Sequence, residues 1–334
     1  MPDMAAYDYD LPPAAIAQVP AEPRSAARLL VAAGGDGVAH RRVHDLPSLL
    51  APGDVLVVNE TRVRPSRLRL RKATGGAVEV VLLEPLPGQQ CWEALVRPGR
   101  RVPPGTRLVA AGGGEPLVEV GGPAGPGTRT VRVVGDVEGH ASVALPPYVT
   151  VHLPDPERYQ TVYARLPGSV AAPTAGLHLT DDVLARCRQR GVEVHAVDLA
   201  VGLGTFRPVQ AARSEDHVMH AERYDVPAAT LDACRRARRV VAVGTTTVRA
   251  LESAAATGRL SGRTTLFIHG SYRFRVVDVL LTNFHQPRSS LLLLLAAFAG
   301  ERWRTLYEVA LAEGYRFLSF GDAMLVARRA AATG

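Results

Sequence analysis

The sequence predicts an α/β protein whose chain is interrupted by a small all-β segment, and three observations point there. Short, wholly apolar runs such as Val55–Val58 and Val240–Val243 read as strands covered on both faces, and each ends in a polar or Gly-Thr-rich turn. Helix-like segments with capping residues alternate with those runs, as between Thr180 and Gly191. From Ser66 to Tyr148 that pattern gives way to short β-like pieces between Gly/Pro turns. The expected organisation is a discontinuous α/β domain of residues 1–65 and 149–334 around a β domain of residues 66–148. A length of 334 residues suits about two domains.

Residues 1–50 offer Pro-rich and short helical pieces. Pro12 and Pro13 precede an Ala-Ala-Ile-Ala-Gln segment, and Ser25 is placed to cap a turn leading into Arg28–Val31. Arg24 and Arg28 there suit either a surface role or a phosphate contact. Val55–Val58 ends at Asn59-Glu60-Thr61-Arg62, a polar cluster at a strand's carboxyl end, where open α/β sheets bind ligands.

In Arg67-Leu68-Arg69-Leu70-Arg71, Leu and Arg alternate with period two, which makes a strand with one apolar and one cationic face. Ala77–Leu83, Cys91–Val96, Arg107–Ala110, Leu117–Val120 and Thr128–Val134 follow as short strands, a series that builds a small barrel or sandwich. The Gly tracts at 112–114 and 121–127 read as turns rather than phosphate loops, because no helix follows either.

The chemistry concentrates between Gly168 and Pro227. Thr180 can cap a helix whose first turn carries Asp181 and Asp182, and Gly191 fits the left-handed residue just past its end. Val192–Val201 then reads as a strand. Thr174, Gly176 and His178 stand before this unit, and Gly202, Gly204 and Thr205 after it. Glycine lets a ligand approach the backbone, while Thr and His supply hydrogen bonds and proton transfer.

Further on, a helical segment over 230–239 ends in Arg235, Arg236, Arg238 and Arg239, which read as a solvated face or a phosphate contact. Val240–Val243, then Gly244-Thr245-Thr246-Thr247 and a helix Val248–Ala256, form a cradle for an anion or polar ligand. Leu266–His269 and Val276–Leu281 read as strands, the second ending in the polar Thr282-Asn283-Phe284-His285. A buried helix from Leu291 to Ala299 capped by Ser289 or Ser290, a helix over Trp303–Ala312, and a last strand-like piece bearing Asp322 complete the chain.

AAPTAGLHLT, VGLGTFRPV and HVMHAERYDVP closely resemble the S-adenosylmethionine:tRNA ribosyltransferase-isomerase family of queuosine biosynthesis. The resemblance runs from YDYDLPPAAIAQVPAEPRSAARLLV to YRFLSFGDAML, nearly the whole chain. The family usually carries Asp where this chain has Glu60. The resemblance implies a β-barrel inserted into an α/β domain.

Composition sets limits of its own. A formal charge of +7 and a pI near 9.7 fit a polyanionic partner or an Arg-rich proteome, since Lys72 is the one lysine. Cys91, Cys187 and Cys234 are scattered and form no CxxC pair, which argues against a disulfide framework or zinc site and fits a reducing cytosol. The N-terminus lacks a signal-peptide pattern, and the apolar run from Leu291 falls short of the ~20 residues a membrane span needs. A cytoplasmic protein, monomeric and without a membrane association, is expected.

His217, His220 and Glu222 stand as HxxHxE without the further ligands or helix of a zinc site, so no metal is expected. No GxSxG elbow is present, and GLGTFR has Arg207 where a dinucleotide fingerprint needs glycine. S-adenosylmethionine as co-substrate is therefore what the resemblance implies, not the spacing. So is the reaction: the ribosyl part of S-adenosylmethionine passes, rearranged, to the aminomethyl group of a 7-deazaguanine in a tRNA anticodon.

That chemistry needs a proton carrier and stabilisation of a sugar cation. His178, His217, His220 and His285 are the expected proton carriers, and Glu222 and Glu252 the groups for the sugar cation or ribose hydroxyls. Thr245, Thr246 and Arg249 would hold the methionine carboxylate. Asn59, Thr61, Arg62, Thr174, Gly202, Gly204 and Thr205 would border the same cleft, and Arg67, Arg69 and Arg71 would meet the tRNA backbone. A paralogue acting on a free 7-deazapurine nucleoside, or a non-catalytic RNA-binding protein, would share parts of this pattern.

Overall fold

The computed structural model describes residues 4–33, 37–88, 90–202 and 219–329. It separates into two compact units, Met1–Arg62 with Pro146–Gly334, and Val63–Leu145.

A nine-stranded mixed sheet organises the first unit. Its order is Ser261–Thr264, Glu222–Asp225, Glu193–Leu199, Asp54–Asn59, Arg239–Val243, Val279–Asn283, Ala323–Ala327, Arg28–Ala32 and Ala39–Arg42. The four strands from Glu193–Leu199 to Val279–Asn283 are mutually parallel, so their carboxyl ends lie side by side. Antiparallel pairings flank them on both sides.

The apolar runs are explained by two cores. Val55, Val57, Val240, Ala242 and Leu280 face one side, packed by helices Ala228–Arg236, Thr245–Thr257, Ser290–Ala299 and Arg302–Ala312. Leu56, Val58, Val241, Val243 and Leu281 face the other, where Val183, Leu184 and Cys187 of helix Asp181–Gln189 pack with Leu46 and Leu50. Each such side chain contributes about 1.5–3 kcal/mol by leaving water.

Local chemistry sets the helix ends. Thr180 Oγ1 accepts a hydrogen bond from Val183 N at 3.3 Å, and Gly191 follows with φ +77°, as expected. Ser289, not Ser290, caps the apolar helix, its Oγ accepting from Leu292 N at 3.2 Å. Ser25 caps nothing: its turn enters from Pro23 and leads into the strand Arg28–Ala32.

Four segments depart from expectation: residues 121–125, read as a turn, continue the strand Val118–Gly125, and the strand expected over Val276–Leu281 runs from Val279 to Asn283. Leu266–His269 is not a strand; the ladder partner is Ser261–Thr264. The Leu266 backbone is spent on side chains, its carbonyl accepting from Arg249 Nε at 3.1 Å and its N–H donating to Thr264 Oγ1 at 3.1 Å. The last strand begins only at Ala323, because Asp322 gathers the Arg28 and Arg316 N–H groups at 2.8 Å each and folds the preceding residues into a loop.

The second unit is a closed antiparallel barrel. Arg67–Lys72, Ala77–Pro85, Cys91–Arg97, Thr128–Val133, Val118–Gly125 and Arg107–Ala110 pair in that order, and Leu70 opposite Ala110 closes the ring. Leu68, Leu70, Val80, Val96, Leu108, Val120 and Val131 fill its interior. Arg69 and Arg71 stand exposed on the strand that buries Leu68 and Leu70, the two-faced pattern its alternation predicts. Ring closure, which removes both sheet edges, decides barrel over sandwich.

Candidate active site

The four adjacent strand ends in the sheet of the first unit carry Asn59, Leu199, Val243 and Asn283, and polar groups gather there. Asn59 is fully buried. Its Nδ2 donates to Leu199 O at 3.0 Å and Thr246 Oγ1 at 3.2 Å, while its Oδ1 accepts from Leu199 N at 3.1 Å and Thr61 N at 3.2 Å. Thr245 and Thr246 open the helix Thr245–Thr257, entered through Gly244 at φ +86°. A Cβ on Gly244 would lie 3.5 Å from Ala175 Cβ, so the turn bearing Thr174 and His178 rests against this helix start.

Asn283 ties that turn to the sheet. Thr174 Oγ1 donates to Asn283 Oδ1 at 3.0 Å, and Asn283 Nδ2 faces His178 Nε2 at 3.0 Å and Leu318 O at 3.3 Å. His178 is buried, and desolvation, with Arg316 and Arg24 adding, lowers its pKa to about 4. His285 follows two residues after Asn283, its Nε2 3.0 Å from Thr282 Oγ1 and its N–H donating to Tyr307 Oη at 2.7 Å. Burial lowers its pKa to about 3. A cavity of about 30 Å³ runs between Thr174, Asn283, His285, Tyr148 and Ser319.

A buried ion pair stands near the Glu193–Leu199 end of the sheet. Glu222 meets Arg249 with one carboxylate oxygen and accepts from Gly202 N at 3.1 Å with the other. Arg249 Nη2 has no partner among the described residues. A buried guanidinium with an open donor can take a carboxylate.

The remaining expected residues are engaged by partners of their own, exposed, or outside the described residues. Glu252, on the helix Thr245–Thr257, spends both oxygens on the loop of residues 272–277, accepting from Arg275 N at 2.8 Å, Val276 N at 3.0 Å, Val277 N at 3.2 Å and Tyr272 Oη at 3.2 Å. Thr61 is buried and Arg62 pairs with Glu157 at 2.6 Å, while Glu60 pairs with Arg165. His220 is exposed, just before the strand that begins at Glu222. Gly204, Thr205 and His217 lie outside the described residues. On the barrel, Arg67 is held by Leu145 O at 3.3 Å and Glu79 at 3.4 Å, whereas Arg69 and Arg71 are exposed.

Of the N-terminal and helical arginines, Arg24 donates to Gln160 O at 2.5 Å and Glu157 O at 2.9 Å, and Arg238 and Arg239 grip the buried Asp54. These are structural roles. Two residues central to the geometry carry no expected role from sequence: Asn283, and Tyr163, whose buried hydroxyl crowds Gly176. Asn283 stands at a strand's carboxyl end after an apolar run, the same signal that marked Asn59.

Amides, hydroxyls, neutral imidazoles and a buried ion pair along the carboxyl edge of a parallel sheet define an α/β protein built to hold a polar ligand at its strand ends. Among the described residues no cluster of His, Cys, Asp or Glu could hold a metal ion, and no helix is long and apolar enough to cross a membrane. The chain belongs to the queuosine biosynthesis protein family, whose model matches residues 4–326. It is 53% identical to the S-adenosylmethionine:tRNA ribosyltransferase-isomerase of Thermus thermophilus, over 98% of this chain and 100% of that protein. It is 51% identical to the protein of the same name from Moorella thermoacetica, over 96% and 98%. The crystal structure of S-adenosylmethionine tRNA ribosyltransferase from Thermotoga maritima superposes with a TM-score of 0.55 at 36% identity, covering 96% of this chain and 99% of that one.

Proposed function

We propose that this chain transfers and isomerises the ribosyl moiety of S-adenosylmethionine onto the 7-aminomethyl-7-deazaguanine of a tRNA anticodon, giving epoxyqueuosine and releasing adenine and methionine. The observation that carries the reading is the convergence of Asn59–Thr246 and Thr174–Asn283–His178 on adjacent strand ends. S-adenosylmethionine is a substrate here, and its sulfonium acidifies the neighbouring carbon, so a modest base suffices for deprotonation.

In this reading Thr174, Gly202, Thr245, Thr246, Asn59 and Thr61 border the nucleoside, and the open donor of Arg249 takes the methionine carboxylate. Gly204, Thr205, Arg62 and Glu252 complete the proposed rim, Glu252 by shaping the loop it binds. Glu222, fixed beside Arg249, supports positive charge developing on the sugar. His178 and His285, deeply buried and neutral, suit hydrogen bonding at fixed atoms, which leaves proton carriage to His220 and His217. Arg67, Arg69 and Arg71 supply the tRNA backbone contacts on the barrel of residues 66–148. The protein acts as a cytoplasmic monomer without a metal. Incubation with S-adenosylmethionine and tRNA carrying the aminomethyl precursor should release adenine; no adenine from the intact protein would refute the reading.

A further inference from the structure

We infer that Asn283 is a positioning residue that locks His178 in its Nδ1–H tautomer, so that His178 meets the reaction as a hydrogen-bond donor rather than as a base. The inference rests on the ribosyl-transfer reading for what His178 donates to, and on hydrogen-bond geometry, with burial in support, for the tautomer.

The orientation of the Asn283 amide is decided by Leu318. A carbonyl oxygen only accepts, so the Asn283 atom 3.3 Å from Leu318 O is the nitrogen. The amide oxygen then points to Thr174, whose hydroxyl donates to it at 3.0 Å. The same nitrogen lies 3.0 Å from His178 Nε2, which must therefore present its lone pair. A neutral imidazole with a lone pair on Nε2 carries its proton on Nδ1. A charged ring would set N–H against N–H. Burial and the cations of Arg24 and Arg316 oppose the charged ring as well.

The Leu318 carbonyl is itself held in place. Leu318 has φ +69°, a left-handed conformation that a branched side chain adopts only where its surroundings impose it. Its N–H donates to Phe284 O at 3.1 Å and its carbonyl also accepts from Gly321 N at 3.0 Å. A Cβ on Gly321 would run into the Arg316 carbonyl, so glycine is required for this turn. Strain sits at the residue that orients the amide, and the amide in turn orients the imidazole. With Nε2 occupied and Nδ1 protonated, His178 has no free lone pair with which to take a proton. A neutral N–H instead holds an acceptor atom of the nucleoside without adding charge, as neutral imidazoles do in other enzymes.

The test is the nitrogen NMR spectrum of the full chain labelled with 15N-histidine, with His178→Gln identifying the His178 signals. Expected at pH 7, and unchanged at pH 5, is a pyrrole-type Nδ1 and a pyridine-type Nε2. Asn283→Asp, which can only accept toward the ring, should move the proton to Nε2 or charge the ring. It should also lower kcat for adenine release by about 10²-fold, the scale of losing one aligned donor, with KM for S-adenosylmethionine little changed. A wild-type ring with Nε2–H, or a charged ring at pH 7, overturns the proposal even if the Asp variant fails to fold. So does an Asp variant that keeps normal kcat. A wild-type spectrum as expected without any adenine release removes the ribosyl-transfer reading and leaves the tautomer assignment standing.

Discussion

Asn59 Nδ2 lies 3.2 Å from Thr246 Oγ1, so one strand's last side chain is bonded to the first turn of the helix that follows its neighbour. The same amide satisfies both backbone groups of Leu199 and the N–H of Thr61. Asn59→Ala would strand these buried groups, and a loss of about 2–4 kcal/mol follows from leaving several donors and acceptors unmade. Urea unfolding measures it. A loss under ~1 kcal/mol would mean that these bonds are dispensable.

Glu252 accepts three backbone N–H groups of residues 275–277 and the Tyr272 hydroxyl. Glu252→Ala should destabilise by about 2–3 kcal/mol, because four donors of a partly buried loop lose the fully buried carboxylate that accepts from them. Glu252→Gln keeps one acceptor oxygen and should cost less. Little or no loss for Glu252→Gln beside a full loss for Glu252→Ala, measured by chemical denaturation, would show that cavity formation and not hydrogen bonding dominates.

His178 and His285 give the fold a pH dependence of known sign. Both are held neutral, with pKa values lowered from 6.5 to about 4 and about 3. Between those values and 6.5 the unfolded chain binds more protons than the folded one. Stability is therefore full above pH 6.5 and falls as pH drops through that window, by at most about 1.4 kcal/mol per pH unit for each imidazole. Unfolding free energies at pH 7, 6 and 5 check it, above the range where most carboxylates titrate. His285→Gln should flatten the slope, and an unchanged slope would reject His285 as a source.

Much of this architecture was legible because it is written locally. The apolar runs at 55–58 and 240–243 alternate between two cores, which is why they carry no polar residue. Thr180 and Ser289 cap helices through bonds three residues away, a range sequence displays directly. What escaped depends on distant partners. Asp54 looks unremarkable in sequence, yet it absorbs Arg238 and Arg239 from 184 and 185 residues on. Leu266–His269 has a strand's composition, but Arg249 and Thr264 claim its backbone. Asn283 resembles any strand-end amide until the Leu318 carbonyl and the His178 ring are seen on either side of its nitrogen.

The Asp54 cluster yields its own prediction. Burial raises this carboxyl's pKa, but Arg239, the Ala51 N–H and Arg238 outweigh burial and hold it below the usual carboxylate range. Asp54→Asn should cost about 1–3 kcal/mol at pH 7, the scale of losing hydrogen bonds between charged groups, because Arg238 and Arg239 keep access to solvent once the carboxylate is gone. Because the folded pKa is depressed, the pair's contribution is present above the unfolded value of 3.8 and is lost as pH falls through the folded one. The wild type and the Asn variant should thus converge in stability in acid; a constant difference down to pH 2 would reject the ionic account.

The barrel arginines divide by their surroundings. Arg67 is bound to Leu145 O and sits beside Glu79, while Arg69 and Arg71 are exposed on the same strand. Only an exposed cation can exchange counterions for phosphate at little cost. Arg69→Ala with Arg71→Ala should weaken tRNA binding and lower the slope of log K against log salt by about 1–2, since each phosphate left without its cation accounts for roughly 0.7–0.9. Arg67→Ala should act on thermal stability more than on that slope. Filter binding of the tRNA across a salt series separates the cases. If the double variant keeps the wild-type slope, the strand face that its alternation displays is not where the RNA backbone lies.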